Sequence, residues 1–300
     1  MALRPIDPPV WGRWLAVVVL AGCGRGDSIA VPAPVITPGD APGDARTVGA
    51  PEPCPVERPS LGPGLTVDRW AIAGIRAAGA SPCLDVVRAD LARFRLVALS
   101  ADGKGKPATA WRDDAGLAAV TNAGMFHDGG APVGLVVSGG NVRGIDNPKF
   151  SGFFAWDPVS PGDPPVVVGG RGCPGFDLAT LRRRYRSLVQ SYRLLDCDGH
   201  ALAWQDPKHY SAAGIGVDRA GRVVFLHARA AFTMAELATT LASHDLTGAV
   251  FLEGGPEASL VARGPEGALS LVGSYETGFV ENDDNHEPWA LPNVIGLVAR

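Results

Sequence analysis

The chain reads as an α+β domain, a mixed and largely antiparallel β-sheet covered by a few helices. Three observations predict this class. Thirty-nine glycines and 26 prolines in 300 residues punctuate the chain too often for a helical bundle. Short apolar runs alternate with turn signals along most of its length. Neither an internal repeat nor a regular βαβ alternation is present, which sets aside solenoids and doubly wound parallel sheets. A hydrophobic content of 46% suffices for one sizeable core.

The elements follow in order. Phe94–Ser100 and Leu117–Thr121 are apolar runs of strand length. Pro132–Ser138 and Asn141–Ile145 flank Gly139-Gly140, a pair suited to the positive φ angles of a two-residue hairpin. Gly152–Trp156 and Val166–Val168 add two strands. Asp177 caps a helix whose apolar face is Leu178, Leu181, Tyr185 and Leu188, with Arg182-Arg183-Arg184 as a solvated face. Gly214–Val217 and Arg222–His227 straddle Asp218-Arg219-Ala220-Gly221, a second hairpin. Thr233 and Glu236 make a T-x-x-E capping box. Met234, Leu237, Ala238, Leu241 and Ala242 then recur at helical spacing. Ala249–Leu252 is a buried strand ending in Glu253-Gly254-Gly255-Pro256. Asn293–Val298 is a last strand returning to the sheet centre.

Arg4 and Arg13 precede the apolar run Trp14–Leu20, which Ala21, Gly22 and Cys23 follow. The run is far shorter than the roughly 20 residues of a spanning helix, and the order basic, apolar, small fits a secretory signal. Leu20-Ala21-Gly22-Cys23 resembles the lipobox of bacterial lipoproteins. The resemblance implies cleavage before Cys23 and a lipid on its sulfur; the alternative is an ordinary signal peptide with an incidental Cys. Gly24, rather than Asp, favours sorting to an outer membrane. The expected organisation is a signal peptide over 1–22, a lipidated Cys and Pro/Gly-rich tether over 23–63, and a folded domain over 64–300.

Cleavage removes two Arg and one Asp, taking the formal charge from −4 to −5. Such a chain has no basic field for nucleic acid and no polybasic membrane patch, so any membrane attachment is through the lipid. With Cys23 lipidated, Cys54, Cys83, Cys173 and Cys197 remain. An even number in an oxidising compartment suggests two disulfides, with three pairings open. Cys54–Cys83 and Cys173–Cys197 are favoured because each pair flanks one local segment. A metal site is disfavoured by the wide spacing and the lack of any C-x-x-C.

Two strand ends carry candidate chemistry. Thr121-Asn122-Ala123-Gly124-Met125-Phe126-His127 follows one apolar run, and Glu253-Gly254-Gly255-Pro256-Glu257 follows another. In each, a strand delivers a polar side chain beside glycines, which let backbone approach a ligand closely. A carboxylate there can act as acid or base on a bound substrate. Taken singly, each motif is also an ordinary turn: Asn122 is a turn-capping residue type, and Glu257 fits a solvated surface.

Together they resemble one family. Asn122–Phe126, Pro132-Val133-Gly134-Leu135 and the Gly139-Gly140 hairpin are similar to the N-terminal half of the phosphodiester glycosidase family. Val189-Gln190-Ser191-Tyr192-Arg193-Leu194-Leu195 resembles its Gln-Ser-Gly-Pro block. Ala213–Asp218 resembles its second-hairpin strand, and Phe251–Gly255 its strand-Asp-Gly-Gly signature. Order and spacing agree over roughly Leu91–Val298. The resemblance implies hydrolysis of a sugar-1-phosphodiester at the anomeric carbon. It maps Asn122 onto the family's Asn, Gly254 and Gly255 onto its Gly pair, and Ser191 onto its Ser. Glu253 departs from the family's Asp by one methylene, Pro256–Ser259 replaces a run of small residues, and Tyr192-Arg193 replaces Gly-Pro, which narrows the pocket.

The catalytic candidates are therefore Glu253, Asn122 and Glu257. Those for substrate binding are Gly124, Ser191, His127, His209, Arg229, Gly254 and Gly255, although a lone His is often structural and a strand-end Arg often solvated. The expected substrate is a glycan or sugar phosphodiester of the cell envelope or its surroundings. The competing expectation is a glycan-binding surface lipoprotein without catalysis. No cofactor is required. Glu276 and the oxygen-rich run Glu281–Glu287 offer a place for a divalent cation such as Ca²⁺, or form a solvated acidic loop.

Overall fold

The computed structural model describes Cys54 and residues 59–72, 83–275 and 283–300. The expected signal peptide, the lipobox Cys23, most of the tether, Glu276 and Glu281 lie outside the described residues.

β1 (Leu65–Ala71) and β2 (Cys83–Ala89) open the fold, and β3 (Phe94–Ser100) has the bounds expected from sequence. A short β4 (Lys106–Pro107) leads into α1 (Ala108–Ala115). This helix stops at Gly116, whose φ of 60° suits a residue without Cβ. β5 (Ala119–Asn122) follows, then β6 (Val136–Ser138) and β7 (Asn141–Arg143) around Gly139 and Gly140, both at positive φ as the hairpin requires. β8 (Gly152–Pro158) and β9 (Val166–Gly170) precede α2 (Leu178–Arg184). β10 (Tyr185–Ser191), β11 (Tyr210–Asp218) and β12 (Val223–Phe232) come next. In α3 (Met234–Ala242) both halves of the capping box form. The Thr233 hydroxyl accepts from the Glu236 N–H at 3.1 Å, and the Glu236 carboxylate accepts from the Thr233 N–H at 2.9 Å. β13 (Leu246–Gly254), a single 3₁₀ turn (Gly255–Glu257), β14 (Ser259–Arg263), β15 (Ala268–Val272), β16 (Ala290–Leu291) and β17 (Asn293–Ala299) complete the order.

One helix differs from its sequence reading. Asp177 does cap α2, its carboxylate accepting from the Thr180 N–H at 2.8 Å. The helix ends at Arg184, however, and Tyr185 and Leu188 belong to β10. Their spacing of four and three from Leu181 imitates a helical stripe. The segment is instead extended and pairs with β8 from Tyr185 to Ser191.

β4 and β16 pair with each other, and the other strands form three five-stranded sheets where one was expected. Their orders are β1-β2-β12-β11-β13, β7-β6-β10-β8-β9 and β15-β14-β5-β17-β3. Pairing between the named strands is antiparallel throughout. β17 sits inside its sheet, between β5 and β3.

Strand periodicity divides the apolar residues between an inner core and three outer ones. Val87, Phe154, Trp156, Phe225, Val250, Ile295 and Leu297, drawn from all three sheets, share one buried cluster. Their neighbours along the same strands face outward, each set against one helix. Val86, Val224 and Leu226 meet Met234, Leu237 and Leu241 of α3. Val120 and Val294 meet Trp111 of α1. Phe153 and Ala155 meet Leu178 and Leu181 of α2. Strands buried on both faces read as continuous apolar runs rather than alternating ones, which is why Val250–Leu252 and Phe153–Trp156 are so uniformly hydrophobic.

Both favoured disulfides are formed, Cys54–Cys83 and Cys173–Cys197. Leu61, within the stretch read as tether, is only 1% exposed and joins the inner cluster. No helix among the described residues is long and apolar enough to cross a membrane.

Candidate active site

β13 and the 3₁₀ turn after it deliver the two central carboxyl groups. The register of β13 against β11 shifts between Ala213/Glu253 and Gly214/Phe251, a bulge of the kind that re-aims side chains at a sheet's end. Beyond it the chain turns through Gly255, whose φ is 69°, and presents Glu257 from the 3₁₀ turn. Glu253, Gly254, Gly255 and Glu257 all line one cleft of about 560 Å³.

Two buried side chains hold this turn from behind. Asn122, at the end of β5 and 1% exposed, uses both ends of its amide. Its Nδ2 donates to the Glu257 carbonyl and its Oδ1 accepts from the Ser259 N–H, each at 2.9 Å. His227 on β12 is fully buried, with Nε2 at 3.2 Å from the Ala258 carbonyl. A carbonyl only accepts, so Nε2 carries the proton of this bond. Burial pushes the imidazole pKa down to about 4, against the smaller opposing pull of the Ala258 carbonyl, and the ring is neutral at pH 7.

The cleft walls are aromatic and acidic. Phe126, Tyr192, Trp204, Tyr210 and Phe251 supply rings, and Asp128 and Asp206 join Glu253 and Glu257. The rings stand at steep angles to one another. Tyr192 and Trp204 centroids lie 5.5 Å apart at 82°, and those of Tyr210 and Phe251 6.0 Å apart at 64°. Phe150 braces Tyr192 edge-on at 4.6 Å. Burial holds the Tyr210 phenol neutral well above its ordinary range, with the Asp206 charge adding to the shift.

Glu253 has the electrostatics of a proton donor. Its carboxyl pKa rises to about 8, chiefly through burial in the cleft floor, with the Glu257 charge as a smaller contributor. The Gly254 N–H donates to Glu253 Oε1 at 3.1 Å and opposes the shift. At neutral pH the group is mostly protonated, yet part of its side chain still faces the cleft. That combination suits a general acid.

The candidates named from sequence divide into three groups. Glu253, Glu257, Gly254 and Gly255 come together in the cleft. Gly124 (φ 110°) and Ser191 are buried one residue away from the lining side chains Met125 and Tyr192. The remaining four are placed elsewhere. Asn122 does not line the cleft; both ends of its amide are committed to the turn, so it positions Glu257. His127 is exposed in a tight turn closed by the Gly130 N–H to the His127 carbonyl. His209 lies between the lining residues Asp206 and Tyr210 without lining the cleft itself. Arg229 donates to the carbonyls of Val272, Asp283 and Asn285 and pairs with the Asp283 carboxylate at 2.8 Å. Its charge anchors the 283–285 segment and is not offered to a phosphate.

Trp204, Asp206 and Tyr210 were missed by sequence reasoning. Their signal was a tryptophan and an aspartate in the Pro-containing stretch between two strands, where exposed aromatics mark binding surfaces. Gln190 was quoted only as part of a motif, yet its buried amide organises the loops beside the cleft. Oε1 accepts from the Leu135 and Asn147 N–H groups, and Nε2 donates to Asp146, Asn147 and Phe150 oxygens.

Among the described residues, Asp196, Asp198 and His200 form the one set spaced to hold a metal. The Asp196 carboxylate is already bonded to the backbone N–H groups of Asp198 and His200. This is the hydrogen bonding of a turn.

A family model described as phosphodiester glycosidase matches residues 115–298, more than half of the chain. Among solved structures, the fold is similar to the catalytic domain of zebrafish N-acetylglucosamine-1-phosphodiester α-N-acetylglucosaminidase, described as auto-inhibited by its pro-peptide. That match has a TM-score of 0.57 and 14% identity, covering 81% of this chain and 87% of the other. A hypothetical protein from Synechocystis matches with a TM-score of 0.54 and 15% identity, covering 83% of this chain and 64% of that one. At these identities the likeness speaks to the fold alone. No curated protein sequence matches significantly.

Proposed function

The chain belongs to the phosphodiester glycosidase family, and from that premise we propose that it is a hydrolase of sugar-1-phosphodiester linkages in envelope or extracellular glycans. The observation that carries this reading is the Glu253 carboxyl, protonated near neutral pH on the floor of an aromatic cleft and followed four residues later by a second acid. In the reaction, water adds to the anomeric carbon while the bond from that carbon to the phosphate oxygen breaks. Glu253 gives its proton to the departing oxygen, and Glu257, as carboxylate, takes one from the water. The products are the free sugar and a phosphomonoester. No residue role here requires a metal or cofactor; turnover that survives a chelator is the expected result.

Glu253→Gln is expected to lower kcat on a GlcNAc-1-phosphodiester by about 100-fold or more without lowering Tm. In the parent, kcat should fall as pH rises through about 8, when the acid loses its proton. Undiminished turnover in Glu253→Gln removes the site assignment. The five rings lining the cleft also suit a glycan-binding protein, and saturable binding without turnover selects that reading instead.

The two disulfides are in keeping with an oxidising compartment. We assign lipid attachment to Cys23. Incorporation of labelled palmitate into the parent and not into Cys23→Ala is the expected outcome; equal labelling of both refutes it.

A further inference from the structure

We propose that the substrate of this cleft carries an ammonium group, held in a cage formed by Tyr192, Trp204 and Tyr210 and closed by the Asp206 carboxylate. The inference rests on the hydrolase reading of the same cleft and adds a class of substrate to it.

The argument begins with charge. Among the described residues that line the cleft, four are Asp or Glu and none is Lys, Arg or His. A phosphodiester brings one negative charge into this acidic space. Of the basic side chains within two residues of Asp128, Tyr192, Asp206 or Tyr210, His127, Lys208 and His209 do not line the cleft, and the guanidinium of Arg193 lies against the sulfurs of Cys173 and Cys197. Arg229 is committed to the 283–285 segment. A like-charged ligand in a low-dielectric cleft needs compensation, and a positive group on the substrate itself supplies it.

Geometry then says where that group sits. Tyr192 and Trp204 meet edge to face, almost at right angles, so the two rings form a corner rather than a flat platform. Tyr210 and Asp206 line the same cleft as these two rings. Ring faces attract a cation through their quadrupole, and a carboxylate completes the pairing with charge-assisted hydrogen bonds. The cage adjoins the acid. A Cβ on Gly254 would lie 3.0 Å from Tyr210 Cδ2, and Gly254 follows Glu253 directly. The ammonium is therefore a short tether away from the scissile bond. Uncharged sugar hydroxyls also suit rings and carboxylates, but they leave the phosphate charge unanswered.

The test uses the full chain and four model diesters. Three are GlcNAc-1-phosphodiesters with ethyl, 2-aminoethyl or choline aglycones, and the fourth pairs glucosamine with an ethyl aglycone. Diesters bearing an ammonium should show kcat/KM about tenfold above the ethyl GlcNAc diester. The ratio should shrink in Asp206→Asn and in high salt. Preference for the choline and aminoethyl esters places the ammonium on the aglycone; preference for the glucosamine diester places it on the sugar. Equal kcat/KM for all four overturns the inference and leaves the hydrolase reading intact. If none is turned over, the hydrolase reading fails and tryptophan fluorescence titration with the same four compounds decides. Tighter binding of the ammonium-bearing diesters then sustains the cage, and equal or undetectable binding removes it.

Discussion

Glu253 and His227 sit on opposite sides of one turn, and burial moves their pKa values in opposite directions, so each leaves its own mark on stability against pH. For Glu253 the folded value of about 8 lies above the 4.5 of a free glutamate side chain. Its favourable contribution is complete below 4.5 and is lost as pH rises through 8. Glu253→Gln should therefore melt higher than the parent at pH 9 and with it at pH 4. For His227 the folded value of about 4 lies below the 6.5 of a free imidazole. Stability is complete above 6.5 and declines as pH falls toward 4, because the unfolded ring takes up a proton that the buried one refuses. His227→Gln should flatten that acid limb in urea titrations run from pH 7 to 4, and an unchanged slope would refute the account. The sequence named Glu253 and Asn122 by motif. It could not tell the residue facing the cleft from the one behind the turn, because both end apolar strands beside glycine. His227 was read as an ordinary strand end, since nothing local marks a side chain whose partner, Ala258, is 31 residues away.

Among the elements, those stabilised by their own neighbours were the most legible. α3 carries its capping box in four consecutive residues, and the β6–β7 hairpin carries its turn in two glycines. Segments whose identity depends on distant partners were misread or missed. β10 imitated a helix because its pairing with β8 lies outside any local window, and β14 and β15 gave no signal strong enough to name. Gln190 on β10 shows how such a strand serves the site. One buried amide satisfies two N–H groups and three oxygens of the loops over residues 133–150. Gln190→Ala strands several of these in the interior and should cost about 3 kcal/mol or more, read as a lowered urea midpoint. A midpoint within error of the parent would mean that the loops do not depend on it.

For the whole molecule, composition and the four cysteines other than Cys23 foretold a turn-rich, largely antiparallel, disulfide-bonded domain. They did not foretell three sheets around a common core with one helix on each outer face. That arrangement resides in pairings between strands far apart in sequence, such as β12 with β2 and β14 with β5. The disulfides reinforce it at two places. Cys173–Cys197 closes a loop of 24 residues, and its loss should cost about 3 kcal/mol through the freedom returned to the unfolded chain. Replacing both cysteines by Ser should lower Tm by several degrees. An unchanged Tm would show that the reduced chain is already constrained there.

The turn between β13 and β14 carries a final consequence. Glu253 rides on the edge strand of one sheet, while Glu257 lies two residues before Ser259, where β14 of another sheet begins. The gap between two such carboxyls decides whether a glycosidase retains or inverts the anomeric configuration. Here that gap is a gauge of how two sheets lie against each other. Val250 and Leu252 of β13 and Leu260 of β14 are all in the inner cluster and none is in the cleft. The spacing of two cleft acids thus depends on side chains that never touch the cleft.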